Sequence, residues 1–165
     1  MTARARVIGF DPGLRITGWG IVEAHGSRLI HVANGELRPD PEAGIADRLA
    51  ELFASVTQVI EDYGPDMAAI EETFVHRSAG AALKLGMARG AALVASATAG
   101  LPVTEYAARS IKKALVGSGG ADKAQVQYMI GILLPGCNPA GPDAADALAV
   151  AVAHAHGLPF AVAAR

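Results

Sequence analysis

The stretch VIGFDPGLRITGWG, residues 7–20, decides how this chain is read. Its start is apolar and closes a buried strand that covers residues 4–10. Asp11 then places a carboxylate at the strand tip, and Pro12-Gly13 turns the chain away. A second strand follows over residues 17–23 and carries Trp19, the only tryptophan, which reads as core. A carboxylate in that position has two readings. It starts the turn, or it holds something at the edge of a sheet.

Working outward, residues 28–38 form a third strand, reached through His25-Gly26-Ser27. Ile45, Leu49, Leu52, Val56, Val59 and Ile60 recur at helical spacing and predict a helix over residues 44–62, stopped by Tyr63-Gly64-Pro65. A fourth strand covers residues 67–73, a long helix residues 79–98, and a fifth strand residues 102–106. Two shorter helices, residues 108–116 and 122–134, flank Gly117-Ser118-Gly119-Gly120. The loop PGCNPAGP leads to a last helix over residues 143–156. Three adjacent strands, then alternating helices and strands, predict an α/β fold: a five-stranded mixed sheet with helices on both faces. The 165 residues suffice for one domain with a full core, residues 1–158, followed by a short tail, residues 159–165.

The net charge is −2, so no global basic charge points to a nucleic-acid partner. Its distribution says more. Residues 75–125 carry +5 and the remainder −7, which suits a metal site beside a phosphate-binding surface. Cys137 is the only cysteine, which excludes an internal disulfide and fits the reducing cytoplasm. No signal peptide is read at the start. No apolar run is long enough for a bilayer, because Lys84 and Arg89 break the best candidate.

The acids gather at the ends of elements. Asp11 ends strand one, Glu71 and Glu72 end strand four, and Asp143 and Asp146 open the last helix on one face. Each has a local reading: Asp11 as a turn residue, Asp143 as an N-cap with Asp146 in its first turn, Glu72 as a solvated strand end. Together they form a cluster that repels itself unless a hard cation sits in it. Oxygen-only ligands suit Mg²⁺ or Mn²⁺ and not zinc. Two such ions can activate water and stabilise the leaving oxygen of a phosphodiester. Taken alone, Lys112 and Lys123 read as exposed helix lysines and Phe74 as core. The glycine-rich run at residues 117–120 lacks the Walker pattern and reads as a turn. His154 and His156 are two apart on a helix and face different ways, which argues against a histidine metal site.

Five blocks in order, IGFDPGLRITGWG, AIEETF, ALKLGMARG, YAARSIKKALVGSGGADKAQV and DAADALAVAVAHAH, together resemble the RuvC family of bacterial Holliday-junction resolvases. The resemblance runs from about residue 7 to residue 156. It implies an RNase H-like fold, a homodimer, and Mg²⁺-dependent nicking of four-way junction DNA in recombination and repair. Under it Asp11, Glu71, Asp143 and Asp146 match four metal-binding acids, which selects Glu71 over Glu72. Two Mg²⁺ ions, replaceable by Mn²⁺, would sit among them. Lys112 and Lys123 match lysines near the scissile phosphate and join the catalytic set. Phe74 matches an aromatic that stacks on a base at the junction point. Arg77, Arg89, Arg109 and Lys113 are the further DNA contacts expected from the basic region. The branch-migration proteins RuvA and RuvB are implied partners. The chain departs from the family pattern at Met87, where glutamine is frequent, and at His76-Arg77-Ser78. Both departures bear on DNA contacts and leave the acids untouched.

Two other classes fit parts of the pattern. DPGLRITGWG also resembles the phosphate loop of sugar kinases and actin-like ATPases, which carry two such domains where this chain has room for one. A non-catalytic junction-binding module would be favoured by loss of an acid, and all four are present.

Overall fold

A computed structural model of the chain describes residues 4–74 and 78–157. The strands are β1 (Arg4–Asp11), β2 (Thr17–His25), β3 (Arg28–Leu37), β4 (Met67–Glu72) and β5 (Val103–Ala107). The helices are α1 (Ile45–Tyr63), α2 (Ala79–Thr98), α3 (Ala108–Val116), α4 (Lys123–Leu133) and α5 (Pro142–Gly157). Every element expected from the sequence is present, with ends within about two residues of expectation. The tail at residues 159–165 and Arg77 lie outside the described residues.

One sheet runs in the order β3-β2-β1-β4-β5. β1 pairs antiparallel with β2 and parallel with β4, and β4 pairs parallel with β5, so the sheet is mixed. Alternation along the strands feeds two cores, one per face. Ile8, Phe10, Trp19, Ile21, Ala68 and Ile70 pack against α1 and α2. Val7, Val22 and Ala69 pack against α3, α4 and α5 on the other face. Trp19 is buried, as its setting in the sequence suggested, with its ring 5.4 Å from that of Tyr63.

The α5 face decides the site. α5 is buried along most of its length, and its backbone rests on glycines of β1 and β2. A Cβ on Gly9 would lie 2.3 Å from the Ala147 carbonyl oxygen, and one on Gly18 1.9 Å from the Asp143 carbonyl oxygen. Only glycine allows the helix to sit this close. The "GWG" and "IGF" glycines of the opening stretch therefore set the height of α5 above the sheet.

Candidate active site

Strand register brings the acids together. Gly9 and Phe10 pair with Ala69 and Ile70, so the next step sets Asp11 beside Glu71 on neighbouring parallel strands. Alternation puts both on the α5 face. Glu72 points the other way, toward α2, where Arg89 lies 3.6 Å from it. Parity thus separates the two glutamates, a distinction the strand pattern in the sequence left open.

α5 supplies the remaining acids. Gly141 takes the cap position, accepting the Ala145 N–H at 3.0 Å, and Pro142 occupies the first turn. Asp143 therefore lies inside the helix. The local reading of Asp143 as the N-cap is corrected: the cap residue has no side chain. Its role passes to Glu36 of β3, whose Oε1 accepts the Asp143 N–H at 3.2 Å. Glu36 had no part in the sequence reading. The signal was a carboxylate near the end of strand three, but its value depends on register across three strands.

The electrostatics are those of a crowded anionic site. Burial pushes the Asp11 carboxyl up to about 8, with Glu71, Asp146 and Asp143 adding repulsion and Lys123 opposing it. Burial raises Glu71, and Asp146 adds to the effect. Burial, Glu36 and Asp146 raise Asp143. All four acids offer hard oxygen donors, the set that suits Mg²⁺ or Mn²⁺. As the side chains lie, no three metal-ligating groups among the described residues converge on one point. Asp146 is engaged by Lys123, with Nζ to Oδ2 at 2.8 Å, and that contact raises the lysine's own pKa.

Both lysines reach the site. A cleft of about 240 Å³ is lined by Glu71, Lys112, Lys123 and Asp146 above an apolar floor that includes Ile111, Val126 and Ala149. Two acids and two cations thus share one cleft. Lys123 opens α4, whose N-terminus is closed by a capping box between Asp122 and Gln125. The preceding glycine-rich run behaves as the turn it was read to be, with Gly117 at φ 86°.

The other expected contacts divide. Phe74 is 69% exposed just past β4, so it is no core residue. Arg109 and Lys113 are exposed one turn apart on α3. Arg89, expected among the DNA contacts, is paired within the fold. Its guanidinium is held by Glu105 at 2.7 Å and faces Glu72, which follows from its position over the ends of β4 and β5. His154 is buried between Tyr106 and Met67, whereas His156 is exposed. Burial raises the Cys137 thiol, so it is a poor nucleophile.

Comparison with known proteins points to one family. The family model described as crossover junction endodeoxyribonuclease RuvC matches residues 7–154. The chain is 55% identical over 158 residues to the crossover junction endodeoxyribonuclease RuvC of Acidiphilium cryptum, covering 96% of this chain and 95% of the relative. It is 55% identical over 156 residues to that of Maricaulis maris, covering 94% and 93%. Among solved structures, T. thermophilus RuvC in complex with Holliday junction substrate matches with a TM-score of 0.86 at 34% identity, covering 92% of this chain and 93% of that one. The five-stranded sheet and its helices are an RNase H-like fold.

Proposed function

Since the chain belongs to the RuvC family of crossover junction endodeoxyribonucleases, we propose that it resolves four-way DNA junctions by paired, symmetric, Mg²⁺-dependent nicks. The nicks would leave 5′-phosphate and 3′-hydroxyl ends and serve homologous recombination and DNA repair. The observation that carries this reading is the gathering of Asp11, Glu71, Asp143 and Asp146 at one sheet edge, beside a cleft that two lysines line.

Asp11, Glu71, Asp143 and Asp146 would hold two Mg²⁺ ions, or Mn²⁺ in their place. When bound, these ions would activate the attacking water and offset charge on the leaving 3′ oxygen. To hold an ion, Asp146 would have to release Lys123, whose ammonium would then be free to reach the DNA. Lys112 and Lys123, which line the cleft, would stabilise the charge that grows on a phosphate bound there. Phe74, standing clear of the core, would insert among unstacked bases at the crossover. Arg109 and Lys113 offer cations to the DNA backbone. Arg89 would have to leave Glu105 and Glu72 to join them.

A homodimer would match the two-fold symmetry of a junction and deliver two cuts. Leu83 and Val94 are 61% and 55% exposed and lie three turns apart on one face of α2, an apolar surface that such a dimer could cover. RuvA and RuvB are the partners implied, and the cytoplasm the expected compartment. Among the described residues, no helix is long and apolar enough to cross a membrane. Mapping nicks on a synthetic four-way junction, with Mg²⁺ and with a chelator, tests the reading.

A further inference from the structure

We propose that Glu36 is a positioning residue for Asp143, gripping the start of α5 from the neighbouring strand so that the helix acids meet Asp11; this rests on the metal-site reading above. The register makes the case. Asp11 pairs with Gly18, and Gly18 pairs with Glu36, so the three lie in line across β1, β2 and β3 on one face. The middle position has no side chain, and the Asp143 backbone drops into the gap. The start of α5 is thus flanked by one carboxylate on each side.

The helix start needs such a partner. Gly141 in the cap position has no side chain to accept a hydrogen bond, and Pro142 has no N–H, so the Asp143 amide is the first free donor of α5. Glu36 Oε1 accepts from it at 3.2 Å, while Oε2 is held by Arg38 at 2.5 Å. The Glu36 side chain is only 7% exposed. A Cβ at Gly141 would lie 2.1 Å from Oε1, so a larger residue there would have to push the Glu36 carboxylate aside. Asn34, two residues earlier on the same face, extends the grip. Its Oδ1 accepts the Ala140 N–H at 2.7 Å and its Nδ2 donates to the Asn138 carbonyl at 3.4 Å. β3 therefore holds the incoming loop at several points.

The carboxylate that meets the Asp143 amide is itself held by Arg38. A buried, arginine-anchored carboxylate fixes the backbone of Asp143 within a rigid frame, which is what an outer partner of a metal ligand must do.

The test uses the full chain with Glu36→Ala and Glu36→Gln. Amide hydrogen exchange over residues 141–146 is read without metal or DNA. Mg²⁺ dependence is read from junction cleavage and from the metal-induced rise in Tm. Glu36→Ala is expected to speed exchange of the Asp143 amide and to raise the Mg²⁺ requirement about 10-fold or more, with kcat at saturating Mg²⁺ changing less. Glu36→Gln keeps an oxygen acceptor and stays close to wild type in both. Unchanged exchange and Mg²⁺ dependence in a folded Glu36→Ala would overturn the proposal. So would a Gln variant as damaged as the Ala variant, since charge rather than the hydrogen bond would then matter. A wild type that neither binds Mg²⁺ nor cuts would instead sink the metal-site reading, and the exchange measurement would still decide on Glu36.

Discussion

Lys123 Nζ lies 2.8 Å from Asp146 Oδ2, so a lysine that opens α4 closes the acid cluster with its own charge. The contact ties two roles to one side chain. Lys123 offsets repulsion among the acids, and in the proposed function it would stand beside the phosphate once DNA and metal are bound. Replacing Lys123 by alanine should therefore split the kinetics. The cleavage rate at saturating Mg²⁺ falls by about 100-fold, the size expected for losing one charge-stabilising donor. The Mg²⁺ concentration for half-maximal cutting does not rise, because a competitor for Asp146 has gone. A variant with unchanged kcat and a higher Mg²⁺ requirement would assign Lys123 to the metal site instead.

The raised carboxyls make the metal-free protein sensitive to alkali. Asp11 moves from an ordinary 3.8 to about 8 in the folded chain. Between those values the folded state holds a proton that the unfolded state has lost, so folding stability falls as pH rises from about 4 to 8. Glu71 and Asp143, shifted in the same direction, add to the fall. Asp11→Asn removes the largest part of it. In the presence of a chelator, its Tm should exceed that of wild type by a few degrees at pH 8, at roughly 2–4 °C per kcal/mol. The gap should shrink toward pH 5. Mg²⁺ should raise the Tm of wild type more than that of the variant. Parallel pH curves for the two proteins would show that Asp11 is not under this strain.

Phe74 separates binding from folding. Its ring is 69% exposed, so Phe74→Ala should leave stability within about 0.5 kcal/mol of wild type. A base stacked on an aromatic is worth about 1–3 kcal/mol. Junction cleavage under subsaturating conditions should accordingly drop about 10- to 100-fold. Fluorescence of 2-aminopurine placed at the crossover should rise with wild type and stay low with the variant. Equal fluorescence changes for both would remove Phe74 from the junction point.

How far the sequence reached depends on the range of the contact involved. Asp11 with Pro12-Gly13, the glutamate pair of β4 and the acids of α5 are each visible within a few residues, because a carboxylate at the end of an apolar element breaks a local pattern. Glu36 is not. Its partner, the Asp143 amide, is 107 residues away, and the pairing needs the register of three strands plus the glycine gap at Gly18. The pairing of Arg89 is hidden for the same reason. Its partner Glu105 lies 16 residues on and meets it only when α2 packs over β4 and β5. The choice between Glu71 and Glu72 rests on strand parity, which the resemblance could supply and the pattern of β4 could not.

The central claim is that the acid cluster around Asp11 cuts junction DNA. Wild type and Asp11→Asn, incubated with a labelled four-way junction in Mg²⁺ and in EDTA, test it most directly when the nicks are mapped to the nucleotide. Wild type with Mg²⁺ should give paired nicks at symmetric positions, with none in EDTA or with the variant, which should still bind the junction. Nicks that persist in Asp11→Asn would place the chemistry elsewhere. A wild type that binds junctions of several sequences but cuts none of them, with Mg²⁺ or Mn²⁺, would contradict the account outright.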